Sequence, residues 1–306
     1  MFAQGSFNGH RILVTGGGTG LGKAMAGRLL ELGAELHICG RRESVLEEAA
    51  AELKTQYGGA VKTHVVDLRD AQSVETMIRQ IWEQAGPLTG LLNNAAGNFI
   101  SRTEDLSSRG FDAIADTVFH GTFYVTHAVG KRWIAGNHRG SVVSIVTTWT
   151  RTGSPFVVPS AMSKAGIDAM TKSLAVEWGR YGIRLNAIAP GIFPTEGATA
   201  RLRPGDKPHE LEQAANPARR LGKLSELANL SAFLLADGCE WLSGETIAID
   251  GAHHLANGAY FTQYADWSDE QWAAARERIQ AQTAKDKALR TVDAAAAPAR
   301  DTGSAS

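Results

Sequence analysis

A short apolar run meets a glycine-rich turn in the segment Arg11-Ile-Leu-Val-Thr-Gly-Gly-Gly-Thr-Gly-Leu-Gly22. The run predicts a first β-strand, and the apolar positions that follow, from Met25 to Leu32, recur at helical spacing. Such a turn suits a pyrophosphate, because its backbone can approach the anion and the helix N-terminus offers unpaired N–H groups. The alternative is a plain tight turn. Its place directly after the first strand argues against that alternative.

Short apolar strands alternate with helical patterns along the rest of the chain. This alternation predicts an α/β fold, a doubly wound Rossmann fold in which a mostly parallel sheet carries helices on both faces. Seven strands are expected, at residues 11–15, 35–39, 61–66, 88–92, 141–146, 183–189 and 246–249. The later helical patterns cover residues 45–57, 71–84, 111–135 and 161–180.

The composition predicts one large domain followed by a short C-terminal part. Residues 1–266 form the domain, in which 195–220, rich in Pro, Gly and charge, is expected to be a mobile substrate loop. Ser268 with acidic residues after it predicts a helix start and a helical extension over 267–290. The small and polar residues of 291–306 predict a disordered tail.

The bulk composition excludes several classes of function. The chain has 306 residues, 43% hydrophobic and 21% charged, and a net charge of −1, which disfavours nucleic-acid binding. No apolar run approaches the roughly 20 residues that cross a bilayer, and the first residues lack a signal peptide's apolar core. We therefore expect a cytoplasmic protein without a membrane partner. Cys39 and Cys239 have no metal-ligand neighbours at useful spacing, so no metal site is expected.

The end of the second strand indicates which dinucleotide binds. Arg41 and Arg42 stand where an acidic residue would hold the ribose 2′-hydroxyl of NAD. Two guanidinium groups pair with a 2′-phosphate, which favours NADP(H). The alternative, two solvated arginines, puts cations at a helix N-terminus, where they are unfavourable. Asp67 would accept a hydrogen bond from the adenine amino group, cap the next helix, or do both.

Three motifs resemble the short-chain dehydrogenase/reductase superfamily: Thr15-Gly-Gly-Gly-Thr-Gly-Leu-Gly22, Asn93-Asn-Ala-Ala-Gly97 and Pro190-Gly191. Finer features resemble its mitochondrial-type 2,4-dienoyl-CoA reductases, namely Asn93-Asn-Ala-Ala-Gly-Asn-Phe-Ile100, Phe156-Val-Val-Pro-Ser-Ala161, Ala228-Asn-Leu-Ser-Ala-Phe233 and the extension at Asp269-Glu-Gln-Trp272. The resemblance implies NADPH-dependent reduction of a conjugated dienoyl thioester in unsaturated fatty-acid β-oxidation. It also implies a homotetramer with the helices at 111–135 and 161–180 in its interface.

The resemblance also implies roles for individual residues. Cofactor contacts are implied at the glycine-rich turn, at three strand ends, on the helix at 161–180 and after the sixth strand. The residues are Gly16, Gly17, Gly18, Thr19, Gly20, Leu21, Gly22, Arg41, Arg42, Asp67, Leu68, Asn94, Lys164, Pro190, Gly191, Ile192 and Thr195. Contacts with the acyl-CoA substrate are implied for Arg69, Phe99, Ser107 and Arg201. Arg201 lies in a basic segment that suits CoA phosphates, and the alternative for that segment is a solvated loop.

The catalytic position departs from most of the superfamily. Ser160-Ala-Met-Ser-Lys164 stands where Tyr-x-x-x-Lys is usual, so the proton-donating tyrosine of carbonyl reduction is missing. The dienoyl-CoA reductases also have serine here. A second departure is His120, which replaces a helix asparagine. It would either replace the asparagine in a water bridge to Lys164 or be a satisfied buried histidine.

Reduction of a conjugated thioester requires donors that stabilise negative charge on the thioester oxygen. By resemblance, Asn98 is one donor, and Trp149 stands where the branch has the other, a tyrosine. The Trp149 indole can donate a hydrogen bond but not a proton, and the alternative is a pocket wall. Lys164 would bind the nicotinamide ribose, and Ser160 completes the site. Ser144 occupies the superfamily's catalytic serine position or caps a turn.

Two other functions stay open. One is another short-chain oxidoreductase acting on an enoyl-CoA or ring-bearing CoA thioester, with Trp149 reshaping the pocket. The other is a pseudoenzyme that binds NADP without turnover. Asn98, Ser160 and Lys164 argue against the pseudoenzyme, whereas Trp149 and His120 favour it.

Overall fold

A computed structural model describes residues 1–196, 199, 202, 209–256, 266–275, 277–281 and 284. Seven strands form one parallel sheet in the order β3-β2-β1-β4-β5-β6-β7. They are β1 (Arg11–Thr15), β2 (Glu35–Gly40), β3 (Val61–Val65), β4 (Gly90–Asn93), β5 (Gly140–Ile145), β6 (Ile183–Pro190) and β7 (Thr246–Ile249). The predicted doubly wound Rossmann fold is confirmed. Its strand order reverses between β1 and β4, where such sheets open a crevice for a ligand.

Helices connect the strands. The α-helices labelled here are α1 (Gly20–Glu31), α2 (Glu43–Tyr57), α3 (Ala71–Ala85), α4 (Ser108–Ala115), α5 (Gly121–Ala135), α6 (Trp149–Thr152), α7 (Val158–Trp178), α8 (Glu210–Ala215), α9 (Leu224–Leu235) and α10 (His253–Ala256). No helix in the described part of the chain is long and apolar enough to span a membrane.

Each face of the sheet packs against its own set of helices. On one face, buried side chains of α1, α2 and α9 form a single apolar cluster with the strands. On the other face, α3, α5 and the end of α7 bring in Trp133 and Trp178. Trp133 is fully buried, and its indole N–H donates to the carbonyl oxygen of Leu88 at 2.6 Å. Because both faces are covered, the central strands are rich in buried apolar residues.

Three local expectations were wrong or incomplete. The continuous helix expected over 111–135 is interrupted by a π-helical turn, Asp116–His120, between α4 and α5. The four residues of α6 were missed because so short a helix carries no periodic pattern. The segment 195–220, expected as a loop, contains α8.

The C-terminal part is described only in pieces. The Ser268 hydroxyl accepts from the Gln271 N–H at 3.4 Å, which confirms the predicted helix start. The predicted helix end near residue 290 and the tail 291–306 lie outside the described residues. The chain divides into two compact units, Met1–His254 and Leu255–Ser306. The domain boundary at residue 266 stays a prediction.

The contact between α5 and α7 leaves no room for a methyl group at Gly130. A Cβ there would lie 2.4 Å from ring carbons of Trp178, which is buried, whereas a Cβ at helical Gly179 would meet nothing within 4 Å. We expect Gly130→Ala to lower the free energy of unfolding by about 1–3 kcal/mol through overpacking. Gly179→Ala, the matched control, should leave it unchanged or raise it slightly. Chemical denaturation of both variants checks this, and equal midpoints would contradict it.

Candidate active site

The glycine-rich turn lies at the carboxyl end of β1 and opens α1. A Cβ at Gly22 would lie 2.3 Å from the Gly16 carbonyl oxygen, and Gly16 has a φ of 65°, so both positions require glycine. The first turn of α1 holds no acidic residue, and the Thr19 side chain does not cap it within the described residues. The N–H groups of that turn therefore remain available to an anion.

Asn94 braces this turn from the end of β4. Its side-chain amide donates to the carbonyl oxygens of Thr15 at 3.1 Å and Gly16 at 3.2 Å. In return, the Thr15 hydroxyl oxygen accepts from the backbone N–H groups of Asn94 and Ala95, both at 3.0 Å. The structure thus joins two of the motifs identified in the sequence, and the Asn94 amide shapes the turn.

The other predicted cofactor residues surround the turn. Gly17 packs against Ile38, Gly18 against Val45 and Leu46, and the buried Leu68 against Gly121. Leu21 is partly buried against the core.

Backbone hydrogen bonds hold the predicted cofactor residues that follow β6. The Gly191 N–H donates to the carbonyl oxygen of Ile249 at 2.9 Å, and the carbonyl oxygen of Ile192 accepts from the Gly222 N–H at 3.0 Å. Thr195 comes close to the turn, because a Cβ at Gly20 would lie 3.5 Å from its methyl carbon.

The two predicted phosphate-binding arginines differ in position. Arg41 is exposed after β2 and lines, with Asp67, a cavity of about 670 Å³. Arg42 occupies the N-cap position of α2. Of the two, Arg41 therefore has the more direct access to a ligand beside Asp67.

Asp67 and Arg69 form an ion pair, with Arg69 Nη2 2.5 Å from Asp67 Oδ2. The hydrogen bonds from Arg69 hold the pKa of the Asp67 carboxyl below its usual range. Asp70, rather than Asp67, caps α3, because its carboxylate accepts from the N–H groups of Gln72 and Ser73. The capping alternative for Asp67 is therefore wrong. Asp67, which was predicted to contact the adenine, and Arg69, which was predicted to contact the acyl-CoA, are thus paired with each other.

Lys164 is buried in the core of the candidate site. Its side-chain ammonium donates to the carbonyl oxygen of Ile145, at the end of β5. Burial lowers the pKa of Lys164 to about 8. Ser160 lies one helical turn earlier on α7 and is also buried. A buried ammonium that still donates one bond has further donors for a hydroxyl-bearing ligand.

Ser144 belongs to a buried polar group under the sheet's carboxyl edge. Its hydroxyl oxygen accepts from the Asn93 side-chain amide at 3.3 Å, and the same amide donates to Thr126 at 2.8 Å. The Asn93 side-chain oxygen is buried without a hydrogen-bond partner among the described residues. Ser144 lies within β5 and does not cap a turn, so that alternative is wrong.

Asn98 and Trp149 follow two neighbouring strands, β4 and β5, at the same edge of the sheet. The Asn98 side-chain oxygen accepts from the Phe99 N–H at 2.9 Å, which leaves its NH₂ group as a donor. Trp149 is half-buried at the start of α6. No hydrogen bond of its indole N–H occurs within the described ranges, and none links it to Asn98. Both groups are free to donate to a ligand.

Two of the predicted substrate residues lie side by side. A Cβ at Gly110 would be 3.4 Å from the Ser107 hydroxyl and 3.6 Å from the Phe99 ring. The Ser107 hydroxyl caps α4 by accepting from the Gly110 N–H at 3.1 Å. Arg201 lies outside the described residues.

An apolar rim, defined by Phe99, Ile100 and Phe156, was not predicted as a unit. All three side chains are exposed, and the Ser101 N–H donates to the Phe156 carbonyl oxygen at 2.9 Å, which ties the two loops together. Phe156 has a φ of 65°, a conformation that costs energy for a bulky residue and clusters at ligand sites. The signal in the sequence was large apolar residues in two loops, one after β4 and one between α6 and α7.

His120 ends the π-helical turn and is half exposed. Its Nδ1 lies 3.1 Å from Asp116 Oδ1, and its ring stacks on Tyr124. The alternative of a buried histidine is therefore wrong. Across the described ranges, no three His, Cys, Asp or Glu side chains converge as ligands of a metal ion.

The sheet is doubly wound, a glycine-rich turn opens α1 at the switch point, and a buried lysine donates to the end of β5. Together these features are typical of an oxidoreductase with a nicotinamide dinucleotide site. The family described as Enoyl-(Acyl carrier protein) reductase matches residues 16–254. The chain belongs to the short-chain dehydrogenase/reductase superfamily.

Its relatives include 2,4-dienoyl-CoA reductases. A probable (3E)-enoyl-CoA-producing 2,4-dienoyl-CoA reductase of Caenorhabditis elegans is 42% identical over 93% of this chain and 94% of its own. A probable (2E)-enoyl-CoA-producing one of Bacillus subtilis is 38% identical over 80% of this chain and 96% of its own. The crystal structure of a short chain dehydrogenase from Bacillus anthracis has a TM-score of 0.73 and 41% identity, and the match covers 80% of this chain and 96% of that one.

The burial of Lys164 predicts a pH-dependent cost in stability. Folding lowers the pKa of Lys164 from 10.5 to about 8, so the unfolded chain binds the proton more tightly than the folded chain does. The resulting loss of folding stability is fully present below pH 8 and fades as the pH rises toward 10.5. We expect Lys164→Met to be more stable than the wild type at pH 7, by on the order of 2–3 kcal/mol, and to lose most of that gain near pH 10.

Lys172→Met is the matched control, because Lys172 lies on the same helix with a side chain 58% exposed. Its effect on the melting temperature should not change between the two pH values. Thermal unfolding of both variants at pH 7 and pH 10 provides the measurement. A Lys164→Met effect that is the same at both pH values would contradict the assignment of a buried charge.

Proposed function

We propose that the protein reduces a conjugated acyl-CoA thioester with NADPH, and that its substrate is a 2,4-dienoyl-CoA from unsaturated fatty-acid β-oxidation. One observation carries this proposal. At the catalytic position a buried Lys164 is kept, whereas the phenol that carbonyl reduction needs is replaced by Ser160. The two relatives named 2,4-dienoyl-CoA reductase support the substrate class.

NADPH is favoured by the surroundings of Arg41. Its exposed guanidinium beside the Asp67 cavity provides a cation where NAD-binding proteins place an acid. The bound cofactor supplies a hydride. The N–H groups of the α1 first turn bind its pyrophosphate, and Lys164 binds its ribose, in this proposal.

The chain's own part in the reaction is to hold the thioester oxygen while negative charge builds up there. We assign this role to the Asn98 NH₂ group and the Trp149 indole N–H, which follow the neighbouring strands β4 and β5. Donors that are already oriented stabilise the dienolate without reorganisation. A dienolate needs its proton at carbon, which water can deliver, so no phenol is required. Ser160 and Ser144 are the nearby hydroxyls that would orient such a water.

The apolar rim of Phe99, Ile100 and Phe156 fits the acyl chain. Exposed apolar side chains next to polar donors are typical of a site for an amphipathic ligand. We assign Arg69, Ser107 and Arg201 to the CoA end of the substrate, following the resemblance.

We also propose a homotetramer and a cytoplasmic location. Phe119 before α5, Phe123 on α5 and Met162 on α7 expose apolar side chains, as an interface between copies of the chain requires. Cys39 and Cys239 are both free thiols, which fits a reducing compartment.

Steady-state oxidation of NADPH with a panel of acceptors tests the function. The panel contains 2,4-dienoyl-CoA, 2-enoyl-CoA, a ring-bearing unsaturated CoA thioester and a 3-ketoacyl-CoA. The proposal requires the dienoyl-CoA to have the highest kcat/KM. Preference for the enoyl or ring-bearing thioester would move the chain to another oxidoreductase function. Tight NADPH binding without turnover of any acceptor would make it a pseudoenzyme.

Arg41 should determine the choice between NADPH and NADH. A charge-assisted contact with the 2′-phosphate is worth roughly 1.5–3 kcal/mol, so Arg41→Ala should weaken NADPH binding at least tenfold and leave the Kd for NADH unchanged. Arg79→Ala, which removes an exposed arginine paired with Glu83, is the matched control. Calorimetric titration gives both constants. Equal affinity of the wild type for NADPH and NADH would overturn the assignment.

Trp149→Phe should lower kcat for dienoyl-CoA by about 10²–10³ and barely change the KM, because an oxyanion donor acts only as charge develops. Trp149→Tyr, which restores a hydrogen-bond donor, should keep or raise the activity of the wild type. Trp241→Phe is a control at an exposed tryptophan. If Trp149 is only a pocket wall, the Phe variant will keep its kcat and the penalty will appear in KM across chain lengths.

A further inference from the structure

Trp149 is carried by a helix that is too short to hold its own position. α6 has four residues, and isolated helices of that length are not stable in water. Its backbone ends are closed locally, by Thr150 N–H to Thr147 and Gly153 N–H to Trp149. The direction in which the indole points therefore depends on contacts that α6 makes with the rest of the domain.

Arg151 makes the long-range polar contacts of α6. Its guanidinium donates from Nη2 to the carbonyl oxygen of Thr246 at 2.7 Å and from Nη1 to His254 Nε2 at 3.4 Å. Thr246 is the first residue of β7, and His254 follows β7 on α10. One side chain thus attaches α6 to β7, 95 residues away in sequence, and to α10, 103 residues away.

His254 is held in one orientation and one tautomer. Its Nδ1 lies 2.8 Å from Asp250 Oδ2, and its backbone N–H donates to the same oxygen at 2.8 Å. The side chains of His254 and Asp250 are only 10% and 4% exposed. Because the Asp250 carboxylate can only accept and the Arg151 guanidinium can only donate, these contacts require Nδ1 to carry the proton and Nε2 to accept from Arg151.

Asp250 packs against Gly191, in the segment after β6 that is expected to lie near the nicotinamide. A Cβ at Gly191 would lie 2.6 Å from the Asp250 Cβ, so the two backbones are in close contact. The Asp250 carbonyl oxygen also accepts from the Asn216 side-chain amide at 2.8 Å. The chain of contacts from α6 therefore ends on a rigid support beside Pro190 and Gly191.

We propose that Arg151, His254 and Asp250, here called the α6 clamp, are positioning residues that hold Trp149 in the direction needed to donate to the thioester oxygen. The expected effect of the clamp on kcat rests on the proposed function, whereas its expected effect on the orientation of Trp149 does not. Few other side chains offer the arrangement of hydrogen-bond donors and acceptors that the clamp requires. Arginine carries its donors on separate nitrogens of a rigid plane, whereas lysine carries all of its donors on one nitrogen. Histidine joins two nitrogens through a rigid ring, so one can donate while the other accepts.

The structural consequence can be measured without substrate. Uniform labelling with 5-fluorotryptophan gives one ¹⁹F NMR resonance for each of the seven tryptophans, and Trp149→Phe identifies the resonance of Trp149. We expect Arg151→Lys and His254→Phe to shift or broaden that resonance and to leave the resonance of buried Trp133 unchanged. Arg79→Ala is the matched control and should move neither resonance.

The catalytic consequence is measured with a double-mutant cycle. Each clamp variant should lower kcat for dienoyl-CoA about tenfold or more, with little change in the KM, because a small misplacement of a positioned group has effects of that size. In the Trp149→Phe background the same substitutions should change kcat by less than twofold, since the group they position is gone.

The two sets of data separate the two hypotheses. An unchanged Trp149 resonance in both clamp variants overturns the clamp, whatever the activity. If the Trp149 resonance shifts in the clamp variants but Trp149→Phe has the kcat of the wild type, the clamp does orient Trp149, and Trp149 takes no part in the proposed reaction. Equal losses of kcat in the wild-type and Trp149→Phe backgrounds overturn the positioning role, because the clamp would then act on something other than Trp149.

Discussion

The Thr15 hydroxyl accepts two backbone hydrogen bonds, from Asn94 and Ala95, and the position of the glycine-rich turn relative to the end of β4 depends on them. It joins the ends of β1 and β4, the neighbouring strands where the sheet order reverses. The glycine-rich turn and α1 start from one side of this junction, and the segment that ends at Asn98 starts from the other. The proposed anion site and Asn98, the first proposed oxyanion donor, therefore start from the same hydrogen-bonded junction.

The fold was predictable because its signals are local. Each strand is a short apolar run between helical patterns, and alternation of that kind leaves few topologies other than a doubly wound sheet. The interruption of the α4–α5 helix was not predictable, since a π-helical turn keeps the residues and the apolar spacing of an ordinary helix nearly unchanged. α6 was missed for the opposite reason, because four residues contain no period.

The candidate site was predictable in its parts but not in its contacts. The motifs identified Asn94, Lys164 and the glycine-rich turn, and the structure brings these elements to one edge of the sheet. The pairing of Asp67 with Arg69 and the contacts of Arg151 with His254 depend on side-chain directions that no sequence spacing encodes. Lys164 shows the energetic consequence of such a site, because its ammonium is buried at a cost in stability.

The central claim is that hydride adds to a conjugated thioester whose oxygen is held by Asn98 and Trp149, with no phenol to protonate it. Reduction of a 2,4-dienoyl-CoA with NADPH deuterated on the nicotinamide, followed by the same reaction in D₂O, tests this by NMR analysis of the product. We expect cofactor deuterium on the terminal carbon of the conjugated system, solvent deuterium on a carbon nearer the thioester, and an intact thioester. An alcohol carrying deuterium at the former carbonyl carbon would contradict it.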